Sequence, residues 1–541
     1  IPEQSDPAAD EITLSDGSLA LTFTRIGARL KQAAVLLGDN GQNTIDLVPL
    51  EEAKRDTEAL YPFGLRFSDP RILDGIDLRR FDVVDQSETS ITFALKLGSQ
   101  ALVQKTFRLS DRPNVVEVEV VYTNLTDTFV SLGSDIEPAF CLNWAPAVAS
   151  NDDQKGIKPT FIQHQPEGNL TETVAKMSFP REGKTLEPVD WVAVRSAYFV
   201  IAIRPAFENA RAWAAGDVKG ALKAGGTPNY RFGVAVPRFE VGSQKTETRA
   251  FQVYIGPNQQ ATLATAWDSL EDAWRFFESP KWAWMDWFSK KLLGLMNWFY
   301  ASVYANYGFA IIFVTLVVRL CMLPLTLKSM RSMKRMQQLA PEIEALKEKY
   351  GDNQQEMSRK MTELYRERGV NPVAGCFPLL LQMPVFIAFY RMIWNAYELR
   401  GAPFILWITD LSEPDQLLHM PWMPFQQFQY LNLIPILMAG AMLLNQKMMP
   451  TSGPTQNPQQ KVMMTIMPVF FAFICYNMAS GTSLYILTST LLGIVQQKFT
   501  RAATDEEVKK KKTVGKGQHF YTAAKSRQRQ KQRETRRQKK Q

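Results

Sequence analysis

The sequence predicts an α+β membrane protein, with a large antiparallel β-sandwich followed by a five-helix transmembrane bundle that carries a cytoplasmic helical hairpin. Three observations predict it. Residues 11–255 alternate apolar and polar positions again and again, the pattern of half-buried strands. From Phe299 onward come five apolar segments, the first of them FYASVYANYGFAIIFVTLVVRLCMLPL, with roughly 20 predominantly apolar residues, enough to cross a bilayer as a helix. Lys and Arg crowd some of the connecting segments and are nearly absent from the others.

The strand signal is explicit in Leu19-Ala-Leu-Thr-Phe-Thr, in Ser90-Ile-Thr-Phe-Ala-Leu-Lys-Leu and in Asn114-Val-Val-Glu-Val-Glu-Val-Val-Tyr. It continues from Tyr198, from Tyr230 and from Arg249, and Ser15-Asp-Gly, Ser110-Asp-Arg-Pro and Gly225-Gly-Thr-Pro-Asn supply turns. Many strands with little helix between them predict one sandwich. A helix over Gln259–Phe277, with Leu263, Ala266, Trp267, Leu270 and Trp274 on one stripe, completes a domain at 1–277.

Residues 281–298, KWAWMDWFSKKLLGLMNW, place Trp284, Phe288, Leu292 and Leu295 at helical spacing among Asp286, Lys290 and Lys291. Tryptophan favours the membrane–water boundary, so an interfacial amphipathic helix is expected. The first span, 299–325, closes at Pro324 and carries one charge, Arg319, with no acidic residue beside it. An arginine at the centre of a spanning helix costs about 2.5–3.5 kcal/mol on insertion scales, and such residues mark functional paths.

Segment 326–372 then steps by threes and fours through Met333, Met336, Ala340, Ile343, Leu346 and Tyr350. It breaks at Gly351-Asp-Asn and resumes with Met357, Met361 and Leu364. This predicts a helical hairpin with a narrow apolar seam, in which Pro341 kinks or restarts the first arm. Spans follow at 377–397, 430–447, 462–479 and 483–499, with loops at 398–429 and 448–461. Arg391 lies within the second span, where it snorkels or pairs with Glu398. The last segment, 500–541, is basic and nearly without apolar residues, so it is expected to be disordered and attractive to anionic lipid or RNA phosphate.

Positive charge sets the orientation. The hairpin and the tail belong in the cytoplasm with 448–461, and the β domain lies outside.

The totals exclude several classes. The 541 residues carry a net charge of +8. Of the cysteines, Cys141 is alone in the β half, which precludes an internal disulfide there, and Cys321, Cys376 and Cys475 read as packing residues. His164, His419 and His519 have no metal-ligand spacing, and no Gly-x-x-x-x-Gly-Lys-Ser/Thr loop occurs. No metal, no cofactor and no enzymatic activity are expected, and the β domain reads as a structural or partner-binding module.

Four strings then carry a resemblance: VVRLCMLPLTLKSMRSMKRMQQLAPEIEALKEKYGDN, ELYRERGVNPVAGCFPLLLQMPVFIAFYRMI, ELRGAPFILWITDLSEPD and SGTSLYILTSTLLGIVQQKF. In this order they resemble the YidC family of bacterial membrane protein insertases, of the Gram-negative type. The resemblance implies a periplasmic sandwich like that of the sugar mutarotases, and a location in the inner membrane. It also implies a hydrophilic groove open to the cytoplasm and to lipid, in which Arg319, Thr315 and Tyr485 match substrate-groove positions. A second aromatic often follows the tyrosine in the family, whereas this chain has Ile486. The expected partners are nascent membrane proteins, the ribosome through the basic tail and the hairpin, the Sec translocon with its accessory subunits, and anionic lipids. The expected unit is a monomer or weak oligomer. Because the chain begins at Ile1 without an apolar anchor, a further membrane helix is expected upstream.

Two other functions remain for comparison. A small-solute transporter predicts internal repeats and paired ionisable groups at mid-membrane, neither of which is visible. A membrane-anchored carbohydrate-binding protein or sugar enzyme would place its chemistry in the β half, where His164 is the one histidine.

Overall fold

A computed structural model describes residues 11–37, 43–48, 61–67, 75–145, 160–174, 180, 183–216, 230–277, 280–350, 353–369, 377–424, 428–448 and 458–499. The basic tail, Cys376, Asn371-Pro372, the Gly351-Asp352 break, the Gly225 turn and the 449–457 loop lie outside them. The chain divides into two compact units, Ile1–Pro280 with Asn395–Glu398, and Lys281–Trp394 with Leu399–Gln541.

The first unit is antiparallel β. Its nine-stranded sheet runs, in spatial order, Leu170–Val174, Thr160–His164, Trp191–Arg195, Phe199–Pro205, Thr246–Pro257, Val115–Asn124, Ala101–Leu109, Ser90–Leu97 and Asp82–Gln86. A five-stranded sheet runs Lys184–Pro188, Arg211–Gly216, Tyr230–Val236, Phe140–Trp144 and Gly64–Phe67, and a four-stranded one takes Glu11–Asp46 in sequence order. Alternation explains why these segments form strands. Along Val115–Asn124, Val115, Val116, Val118, Val120 and Tyr122 are buried while Glu117, Glu119 and Val121 are half-exposed. Threonine pairs face each other across strands, as in Thr92 with Thr106, hydroxyls 3.1 Å apart. The first hairpin turns on Asp16, whose Oδ1 accepts from the amides of Ser18 and Leu19, while Gly17 supplies a φ of 85°.

All three sheets contribute to one hydrophobic core. Its aromatic centre links Phe23 to Phe107 at 4.6 Å, Phe107 to Phe63 at 5.2 Å, and Phe63 edge-on to Trp144 at 5.6 Å. Burying each such side chain is worth about 1.5–3 kcal/mol. Beside this centre lies a buried cation, Lys105. Its ammonium donates to the carbonyls of Gly27 (2.7 Å), Ala28 (3.3 Å) and Phe63 (2.9 Å). Burial pushes its pKa down to about 7, with Asp77 pulling the other way.

The helix expected over Gln259–Phe277 is shorter. It is α1, Gln260–Ala266, followed by a 3-10 turn at Leu270–Ala273. Trp267 is extended and Ser269 has a φ of 71°, so the helical path ends, and Arg112 donates to the freed Ala266 carbonyl.

The second unit is helical: α2 (Ala283–Ser302), α3 (Tyr307–Gln338), α4 (Ala340–Tyr350), α5 (Gln354–Glu367), α6 (Phe377–Asn395), α7 (Leu433–Met448), α8 (Pro458–Ile474) and α9 (480–499). Two boundaries differ from expectation. The first spanning helix starts at Tyr307, not Phe299, because Asn306 caps it: Oδ1 accepts from Gly308 and Phe309. It also does not close at Pro324 but continues to Gln338. Proline removes a single intrahelical hydrogen bond, and Thr326 Oγ1 donates to the Met322 carbonyl nearby.

Among the described residues one helix, Tyr307–Met330, is long and apolar enough to cross a bilayer, and Leu433–Met448 is a shorter apolar helix. On α2, Trp284, Trp287 and Trp298 are exposed, and so is Trp282 just before it. Cys141 and Cys475 are buried. Cys321 is exposed on α3, which corrects its reading as a packing residue. Leu339 and Ile343 pack against Met361, Leu364 and Tyr365, and Arg368 pairs with Glu342 at 2.9 Å, tying α4 to α5. The restart at Pro341 is the turn at Leu339.

Candidate functional site

The site is built on α3, α6 and α9. Arg319 projects from α3, half-buried. Its Nε donates to Ser489 Oγ at 3.2 Å, and its Nη2 donates to Ser489 Oγ and to the Ser489 carbonyl, both at 2.7 Å. In an α-helix that carbonyl already accepts the amide of residue 493. The guanidinium therefore takes its second lone pair.

Gln382, from α6, donates Nε2 to Tyr485 Oη at 3.0 Å and to Ser489 Oγ at 3.2 Å. Tyr485 is buried with its ring stacked on Phe389, centroids 4.2 Å apart at 11°. Ring packing fixes the phenol, and the phenol and the Ser489 hydroxyl together fix the Gln382 amide. Arg319 has no carboxylate partner among the described residues. It is solvated by neutral oxygen atoms of a neighbouring helix.

The structure thus joins two of the residues picked out by sequence, Arg319 and Tyr485, through two that sequence reasoning missed, Gln382 and Ser489. The third, Thr315, lies one turn before Arg319 but is buried, and its hydroxyl donates to the Ile311 carbonyl of its own helix at 2.6 Å. A polar residue inside an apolar run was the available signal for Gln382, in PLLLQMPVF. Ser489 gave none, since serines and threonines recur through 482–490.

One end of these helices is drawn together. At Gly481 a side chain would meet the Leu411 carbonyl at 3.0 Å, Ile311 of α3 at 3.3 Å and Ile393 of α6 at 3.3 Å. The loop between α6 and α7 is tied over that point. Gly481 donates its amide to the Leu411 carbonyl, and Ser480 donates to the carbonyls of Glu413 and Asp410. Buried Asp415 caps α7, with Oδ2 accepting from Leu433 at 2.7 Å, Ile434 at 3.1 Å and the Trp407 indole at 3.1 Å.

In the β unit, His164 is buried, stacked on Trp191 at 5.0 Å and 3.3 Å from Asp190 Oδ2. It is a packed core residue. No group of three or more potential metal ligands occurs among the described residues.

A family model described as the YidC periplasmic domain matches residues 11–295, and one described as the 60Kd inner membrane protein matches residues 298–507. A curated membrane protein insertase YidC of Syntrophobacter fumaroxidans is 31% identical over 420 residues, covering 76% of this chain and 71% of the relative. One from Pelobacter propionicus is 40% identical over 267 residues, covering 49% of this chain, so the match spans about half of that relative, 47%. A crystal structure titled as an active YidC insertase with the first transmembrane domain resolved covers 92% of this chain and 93% of its own at 19% identity. Its TM-score is 0.37. The periplasmic-domain match alone takes in more than half of the chain, and the Syntrophobacter relative is covered beyond two thirds of its length: the chain belongs to the YidC family of membrane protein insertases.

Proposed function

We propose that the protein inserts nascent transmembrane helices into the bacterial inner membrane through a hydrophilic groove, with Arg319 as its polar station at membrane depth. The observation that carries this reading is the half-buried guanidinium, bound to Ser489 on α9 and without a carboxylate among the described residues. An incoming helix gains about 0.3–0.6 kcal/mol for each strongly apolar residue inserted, while a charged outer flank costs several kcal/mol to pass through intact lipid. A wet path partway across shortens that crossing, and Arg319 offers acidic flank residues a transient partner. The apolar gain of the substrate drives the step.

In this reading α3, α6, α7, α8 and α9 are the five spans, completed at their ends by tilting and by neighbouring segments. The tryptophans of α2 seat it at the interface. The loop bonded to Gly481 closes the outer end, and α4 with α5 forms the cytoplasmic hairpin. The β unit is a periplasmic, mutarotase-like sandwich that binds partners. The ribosome, approached through the basic tail and the hairpin, hands over nascent chains. The Sec translocon and its accessory subunits receive or share them, and anionic lipids attract the tail.

The test is photo-crosslinking of a stalled nascent membrane protein to positions 315 and 485. We expect crosslinks at both. A signal no higher than that of an unrelated membrane protein would overturn the reading.

A further inference from the structure

We propose that Ser489 restricts Arg319 to a one-atom grip on passing carboxylates, and that the bare backbone at Gly493 keeps that one atom, Nη1, open. The inference deepens the insertase reading above and rests on it. It follows from counting donors.

A guanidinium has five N–H groups, one on Nε and two on each Nη. Nε and both hydrogens of Nη2 are directed at Ser489, at its hydroxyl twice and its carbonyl once. Nη1 has no partner among the described residues. The strong mode of carboxylate binding is bidentate, two parallel bonds along one edge of the guanidinium. Either edge needs a hydrogen from Nη2, and both of those are committed. A carboxylate that reaches Arg319 is therefore held through Nη1 alone. For a site that must release every chain it receives, that limitation is useful: a fork-to-fork pair in a partly desolvated place would hold the cargo.

Gly493 follows Ser489 by one helical turn. A Cβ there would stand 3.6 Å from Nη2 and 3.7 Å from Nη1, ordinary contact, so alanine fits. The branches of a larger side chain would lie in the space beside Nη1. Glycine inside a helix is unfavourable, and its place here leaves the free donor uncovered.

The two positions make opposite predictions. Ser489→Ala removes the hydroxyl and releases Nε and one Nη2 hydrogen while keeping the carbonyl bond, so a bidentate edge opens. Ser489→Thr keeps an oxygen in place and should behave as the parent chain. Gly493→Val should cover Nη1.

The measurement uses the full chain in proteoliposomes with a photo-crosslinker at Leu316, exposed on the helix that carries Arg319. The probe is a stalled nascent membrane protein with two aspartates in its outer flank, compared with the same chain carrying asparagines. After release from the ribosome, the decay of crosslinking is followed. One added charge-assisted hydrogen bond should slow the decay of the aspartate probe about tenfold in Ser489→Ala. The asparagine probe should be unaffected, and Gly493→Val should hasten loss of the aspartate probe. Equal changes with both probes, or none in Ser489→Ala, would overturn the proposal and leave Ser489 as a packing residue. Absence of crosslinks to the parent chain with either probe would overturn the insertase reading and this inference with it.

Discussion

The two units each bury a cation without a carboxylate in contact among the described residues, and they treat it differently. In the β unit Lys105 is wholly enclosed, and three backbone carbonyls surround its ammonium. In the helical unit Arg319 is half-buried, bound through Nε and Nη2 by a single serine, with Nη1 left over. Full satisfaction makes a structural pin. Partial satisfaction makes a site, because donors left over are available to something that passes. The comparison separates a charge that holds the fold from one that, in the proposed reading, meets the passing chain.

Breaking the pin should give the largest effect. Lys105→Ala strands three carbonyls in the core and leaves a cavity, and should destabilise the β unit by about 3–5 kcal/mol in thermal unfolding of the full chain. Arg319→Ala should do the reverse. Unfolding should change little, while insertion of substrates with acidic outer tails falls about tenfold and that of neutral ones far less. A loss equal for both substrates would make Arg319 a second structural pin and dissolve the contrast.

The pair can be sharpened by pH. Lys105 titrates near 7 when folded, against an ordinary 10.5 when unfolded. Between those values the unfolded chain holds a proton that the folded one has lost, so stability should climb with pH, by at most about 1.4 kcal/mol per unit. The gain is lost as pH falls through 7. Lys105→Met should flatten that slope. The smallest effect should come from the loop between α6 and α7. Asp415→Ala removes the acceptor shared by Leu433, Ile434 and Trp407 and should cost about 1–2 kcal/mol, read as faster proteolysis between α6 and α7.

Much of this was legible in the sequence, for reasons that differ by unit. Strands such as Ser90–Leu97 and Val115–Asn124 announce themselves because one face is buried and a period of two cannot be mistaken over eight or ten residues. The spanning helix was legible as a mass of apolar residues, but its ends were not. The helix runs on through Pro324, and its start was set by the Asn306 cap, an isolated polar residue that looks like part of a longer run. The helix after the last long strand was overextended because a hydrophobic stripe over Leu263–Trp274 fits both an α-helix and an α-helix followed by a 3-10 turn.

The site shows the same division. Arg319 stands out as a charge among apolar residues. Ser489 does not, since its importance comes from a carbonyl and a hydroxyl that face Arg319 only once α3 and α9 are side by side. The buried Lys105 was equally silent. It occupies an apolar position in an alternating strand and could have been read there as an outward-facing residue.

The central claim, that Arg319 stands at membrane depth yet is reached by water from the cytoplasmic side, has a direct test. The four native cysteines are replaced, a single cysteine is placed at 319, and membrane-impermeant thiol reagents are applied to oriented vesicles from either face. The account predicts labelling from the cytoplasmic face and none from the periplasmic face. Protection from both faces would contradict it.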